Sequence, residues 1–215
     1  ATTNDGEDPL DLASERVSRA ADRGYAALQA DHAAWWDTYW RRSWFTCSEL
    51  KVEKAWYLSN YLTGSIMRPG KTSPGLQGMW CKENFPPWCA DFHGNANIQA
   101  IYQGVLGANH IDLFEPYAAL YWRMRPQCRR DTESFFKMPG VRYPHAGSID
   151  GHEMTEPDWI ALAASYTPSS WIARMFWWAY QHTLDREFLA AVAYPILKDV
   201  AEFYAGILDF SGKDA

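Results

Sequence analysis

Between residues 12 and 209 the apolar positions recur at spacings of three and four, Gly and Pro punctuate them, and hardly any stretch alternates with period two. A chain patterned this way cannot build a sheet of any size, so an all-α fold is expected. Helices are read over 12–30, with Asp11 available as an N-cap, then from Asp31 through Trp35, Trp36, Tyr39 and Trp40, then over 53–67 up to Arg68-Pro69-Gly70. Further helices are read near 96–107, 111–124 and 128–137, and a final pair over 170–183 and 186–209, the second broken at Tyr194-Pro195. Two irregular stretches, 68–94 and 138–168, interrupt the series, and loops that long in a compact domain usually carry function. Helices alternating with long loops suit antiparallel hairpins packed around an axis.

Composition narrows the function classes. With 215 residues, 47% of them hydrophobic, the chain can bury one sizeable core. Its 16% aromatic content includes 12 Trp, most of which are expected to serve as packing. A net charge of −6 offers no basic stripe, which argues against nucleic acid as a partner. Charged residues interrupt every apolar run before it reaches membrane-spanning length, so no membrane partner is expected either. Cys47, Cys81, Cys89 and Cys128 lack short metal-ligand spacing. Buried free thiols are the first reading for them; a Cys81–Cys89 bridge, which would imply an oxidising compartment, is the second.

The residues that carry chemistry concentrate in 74–103, where His93, Asn95, Asn97 and Gln99 alternate among Trp80, Trp88 and Phe92. A pyranose has an apolar C–H face that lies against aromatic rings and a rim of hydroxyls that require amides, imidazoles and carboxylates. His-x-Asn-x-Asn-x-Gln is too polar for a core strand and too rich in Asn for a helix interior. It is expected where a loop enters a helix, with Asn95 or Asn97 as an N-cap in the simplest alternative. A second cluster, His145, Asp150, His152, Glu153, Glu156, Asp158 and Trp159, fills the other irregular stretch. Its roles are hydroxyl binding or, more simply, a solvated acidic loop.

Pro74-Gly75-Leu76-Gln77-Gly78-Met79-Trp80, Pro86-Pro87-Trp88 and His93-Gly94-Asn95-Ala96-Asn97-Ile98-Gln99 together resemble the catalytic domain of glycoside hydrolase family 95, the inverting α-L-fucosidases and their relatives in the six-hairpin superfamily. Ser169-Ser170-Trp171, Leu184-Asp185 and Tyr194-Pro195-Ile196-Leu197-Lys198 resemble the later helical hairpin of that family, and the resemblance runs from about Trp35 to Leu208. It implies an (α/α)6 toroid, with residues 1–215 forming a single helical domain that is the N-terminal and middle part of it. Six hairpins need twelve helices, and at about 11–12 residues per helix plus loops the chain supplies about eight or nine. A longer enzyme is therefore expected in preference to a degenerate, open ring.

The resemblance also implies a mechanism. Asn97 would activate the attacking water and Asn95 would assist, the amide being polarised by a distal aspartate, because a neutral amide is a poor base alone. His93, Gln99, Trp80, Trp88, His152, Glu153, Trp159 and Trp171 are the expected substrate-binding residues. The general acid of the family belongs to a Ser-Pro-Glu segment, but here the only Ser-Pro, Ser73-Pro74, is followed by Gly75. An oligosaccharide or glycoconjugate is the expected partner, without cofactor or metal, and a secreted or periplasmic setting is slightly favoured. Two other classes stand beside this reading: a non-catalytic carbohydrate-binding protein derived from such an enzyme, and a helical metalloenzyme using Asp91, His93, His145 or His152.

Overall fold

The structure is a computed structural model and describes residues 6, 8–155, 158 and 160–208. It is all-α and divides into two compact units, residues 1–44 and 45–215. The first unit is built on α1, Pro9–Trp40. Asp8 rather than Asp11 caps it, accepting from the Leu10 and Asp11 amides, with Pro9 in the first turn where its missing N–H costs nothing. Gly24, at φ 71° and ψ 159°, breaks the helix seven residues earlier than the expected break at Asp31, because only glycine enters that backbone region freely. Beyond the break the rings of Trp35 and Tyr39 stack at 5.1 Å, and those of Trp36 and Trp40 at 5.7 Å.

The second unit contains α2 (Leu50–Ile66), α3 (Asn97–Gly107), α4 (Glu115–Asp131), α5 (Ile160–Ala163), α6 (Thr167–Thr183), α7 (Arg186–Phe188) and α8 (Tyr194–Leu208). α4 runs through Pro126, joining the stretches read as separate helices near 111–124 and 128–137, and continues into a π turn over Thr132–Phe136. The break expected at Tyr194-Pro195 is likewise a π turn, Leu189–Ala193, that leads directly into α8. α6 and α8 form a hairpin. Leu184 ends α6 in the left-handed region, its amide donating to the Tyr180 carbonyl at 2.7 Å, and Asp185 at once caps α7 by accepting from the Glu187 and Phe188 amides.

α6 packs on both α3 and α8. Where α3, α4 and α6 meet, Tyr102, Tyr117, Tyr121 and Phe176 are fully buried, with ring centroids 4.7 Å apart for Tyr117–Tyr121, 5.0 Å for Tyr102–Tyr117 and 5.6 Å for Tyr117–Phe176. None of the described tryptophans in this unit is buried, contrary to the expectation that most would be packing. Tyrosine and phenylalanine close the core, and the larger indoles, which rarely fit completely inside, lie at its edge. α4 and α8 are tied by Asp199, 3% exposed, which accepts from Arg125 Nε and from an Arg129 guanidinium nitrogen, each at 2.5 Å.

All four cysteines are free thiols, and only Cys128 is buried, where desolvation raises its pKa to about 12. The Cys81–Cys89 bridge is not formed. Among the described residues no helix is long and apolar enough to cross a membrane.

Candidate active site

The two irregular stretches meet in a small antiparallel ladder, β1 (Phe92–His93) against β2 (Ala146–Gly147), in which Phe92 pairs with Gly147 and His93 with Ala146. The Gly94 amide extends the ladder by donating to the His145 carbonyl at 2.8 Å. Gly94 is required there, since a Cβ would lie 2.9 Å from the Pro144 carbonyl oxygen and 3.2 Å from Ile172 Cδ1. The ladder thus places the first polar cluster beside the second.

Before β1, residues Trp88, Cys89 and Ala90 form a left-handed turn with φ of 52°, 53° and 52°. Non-glycine residues there cost about 1–3 kcal/mol each and persist only where the surroundings impose them. Here the Cys89 amide donates to the Pro86 carbonyl at 3.0 Å and the Leu76 amide to the Asp91 carbonyl at 2.9 Å. Gly75 lets the two segments touch: a Cβ on it would sit 2.2 Å from the Ala90 carbonyl oxygen. The turn holds Trp88 out at 68% exposure, with its ring edge-on to His93 at 6.3 Å.

Asp91 is buried and its Oδ1 bonds to Nδ1 of the half-buried His93. Burial raises the Asp91 pKa above the ordinary carboxylate value, and the neighbouring His93 pulls it back in part. The His145 ring stands edge-on to His93 at 6.0 Å. Burial lowers its pKa, reinforced by the charge His93 would carry.

α3 begins immediately after this corner. Asn97 is its first residue and is exposed; Asn95 is half-buried, with Oδ1 accepting from the Ala96 amide at 3.0 Å. Neither caps the helix. Ala96 holds that position without a side-chain bond, so the Asn97 amide remains available to a ligand. Gln99, expected among the substrate-binding residues, is fully buried and donates Nε2 to the Gly94 carbonyl at 2.5 Å. It fastens the loop from beneath, because its one-turn spacing along α3 points it inward.

Glu153 is also engaged by the protein. It accepts from Arg142 at 2.8 Å, from the Thr155 hydroxyl at 2.6 Å, and from the amides of His145, Ala146 and Thr155 at 3.3 Å. Arg142, which the sequence did not single out, is 7% exposed, reaches the Ser165 carbonyl at 2.9 Å and bonds the Ala163 carbonyl. The available signal was a lone arginine between the apolar Val141 and Tyr143. His152 is exposed, with its amide on the Ser148 hydroxyl at 3.1 Å. Trp80 is exposed and Trp171 half-buried, and no ring contact or hydrogen bond among the described residues joins the side chains of Trp80, Trp171 or His152 to the His93 cluster. Trp159 and Glu156 lie outside the described residues. No group of three or more His, Cys, Asp or Glu among the described residues could hold a metal ion, so the geometry gives the metalloenzyme alternative no ligand set.

The corner can present an indole face, an imidazole with a fixed nitrogen, and an exposed amide at a helix start. Residues 34–214 match the model of the glycosyl hydrolase family 95 catalytic domain. The chain is 25% identical to a probable alpha-fucosidase A of Aspergillus niger over 225 residues, covering 93% of this chain and 28% of that protein. It is 29% identical to alpha-L-fucosidase 2 of Arabidopsis thaliana over 173 residues, covering 76% of this chain and 19% of that protein. The chain therefore spans only 19–28% of the length of these curated relatives. With the family model covering most of its length and its all-α hairpins being those of the family's toroid, the chain belongs to glycosyl hydrolase family 95.

Proposed function

We propose that the protein carrying this chain is a glycoside hydrolase that cleaves an α-L-fucoside, or a related deoxy or L-galacto sugar, with inversion. Within it, residues 1–215 contribute one wall of the catalytic pocket. The observation that carries this reading is the position of Asn97, exposed as the first residue of α3 and directly after the Trp88–His93 corner, inside a segment that matches the family's catalytic domain. Asn97 orients the attacking water, Asn95 assists it, Trp88 stacks on the sugar's C–H face and His93 binds a hydroxyl. The carboxylate that polarises the amide and the acid that protonates the leaving oxygen come from other segments of the protein.

The test is hydrolysis of an α-L-fucosyl oligosaccharide by the full-length protein, followed by NMR from the first seconds. Inversion releases the β-anomer first. Early α-anomer would overturn inversion, and sugar binding without release would favour the carbohydrate-binding alternative. Asn97→Ala should lower kcat by about 10²–10⁴-fold with KM nearly unchanged, because the interaction matters only once the water attacks. Full activity in Asn97→Asp together with only a small loss in Asn97→Ala would remove Asn97 from the mechanism.

A further inference from the structure

Asp91 matched no expected catalytic or sugar-binding role, yet it is the most deeply placed carboxylate of the corner, its side chain 6% exposed against 15% for its partner His93. Its backbone is pinned on both sides: the Asp91 amide donates to the Trp88 carbonyl at 3.1 Å, and its own carbonyl accepts from Leu76 at 2.9 Å. The side chain is therefore aimed by the strained left-handed turn and has little freedom to leave His93. An ionised carboxylate only accepts hydrogen bonds, so its contact with Nδ1 requires the proton to be on Nδ1. In the neutral ring the other nitrogen, Nε2, then carries a bare lone pair.

We propose that Asp91 is a positioning residue that fixes the Nδ1–H tautomer of His93, so that Nε2 accepts a hydrogen bond from one hydroxyl of the bound sugar. This rests on the proposed sugar-binding role of the corner. Specificity follows from polarity: a hydroxyl can donate to Nε2, whereas fluorine at the same carbon cannot, and two acceptors are left facing one another. Sites built to pair with one substrate hydroxyl reject analogues lacking it far more strongly than apolar pockets reject a change of shape. The groups around the pair are His145, edge-on to His93, and Glu153, whose charge is occupied by Arg142. Neither offers His93 Nδ1 a competing acceptor in the hydrogen bonds of the described residues.

Asp91→Asn tests this without changing size. The amide can donate to Nδ1 and so release the proton to Nε2, reversing the polarity of the nitrogen that faces the sugar. In the full-length protein, ring-¹⁵N-histidine NMR should show His93 protonated on Nδ1 in the wild type and on Nε2 in the variant. In binding measurements with L-fucose and its singly fluorinated 2-, 3- and 4-deoxy analogues, one analogue should bind the wild type at least about tenfold more weakly than L-fucose. That discrimination should shrink to about twofold or less in Asp91→Asn, while the melting temperature stays within a few degrees. A wild-type His93 carrying its proton on Nε2 overturns the proposal, and this readout needs no variant and no ligand. An unchanged analogue ranking in a folded Asp91→Asn variant overturns it as well. If L-fucose itself does not bind the wild type, the sugar assignment of the corner fails, and the positioning role of Asp91 fails with it, even where the tautomer is as expected.

Discussion

The helical core and the corner that precedes α3 are held by opposite means. In the core, Tyr102, Tyr117, Tyr121 and Phe176 interlock as edge-to-face and tilted rings with no positive-φ residue among them, and any one contact is one of many. In the corner, three successive residues sit in the left-handed region, a glycine allows a carbonyl to approach where no Cβ would fit, and one buried carboxylate holds one imidazole. Packing energy is spread through the first region. In the second, position is determined by a few named atoms, which suits the proposed presentation of Trp88, His93 and Asn97 to a sugar. Stability and geometry should therefore come apart under mutation.

The largest stability effect belongs to the core. Phe176 is fully buried against Phe114 and Tyr117, so Phe176→Ala should cost about 3–5 kcal/mol in denaturant unfolding. Activity per folded molecule should stay near the wild-type value, because the ring contacts of Phe176 among the described residues are with Phe114, Tyr117 and Phe188, none of them in the corner. A loss below about 1 kcal/mol would mean that the aromatic cluster is not what secures this unit.

Gly75→Ala should do the reverse. The new methyl would meet a backbone oxygen, so the 75–91 contact must open, at about 1–3 kcal/mol. The displaced turn carries Trp88 and Asp91 with it, so KM for the proposed sugar substrate of the full-length protein should rise by more than the stability loss alone explains. Unchanged kinetics would show that the left-handed turn is not needed to present Trp88.

These two regions were also unequally legible. The core helices follow from the spacing of apolar residues, and α3 and α6 lie within a few residues of their expected bounds because Gly, Pro and Asn mark their ends. The family and the His93-to-Gln99 segment were visible because aromatic and polar residues concentrate there in an order that resembles the family's motif. Hidden from the sequence were features that arise only when distant segments meet: the pairing of β1 with β2, the burial of Gln99, and the use of Glu153 by Arg142 and four other donors. Nor does composition distinguish a tryptophan at the edge of a core from one within it. The gap read between 124 and 128 is absent because a helix loses one hydrogen bond at Pro126 and neighbouring packing can absorb the loss, whereas ahead of Pro195 the α geometry does give way, as the Leu189–Ala193 π turn.

The smallest effect is in pH dependence, and it separates the regions most cleanly. The folded pKa of His145 lies below its ordinary 6.5, through burial first and the adjacent His93 second, with Glu153 and Asp91 opposing and Arg142 reinforcing. Between that lowered value and 6.5 the unfolded chain binds more protons than the native one. His145 therefore contributes stability that is present above about pH 6.5 and is lost as the pH falls through the window beneath it. Asp91 acts in the opposite sense: its raised pKa gives stability below the ordinary carboxylate value of 3.8 that is lost as pH rises through the folded value. His145→Gln should flatten the fall in melting temperature between about pH 7 and pH 5, whereas Phe176→Ala should lower the whole curve and leave its slope unchanged. Equal slopes in the wild type and His145→Gln would show that the ring is hydrated in solution and that the corner is more open than its geometry implies.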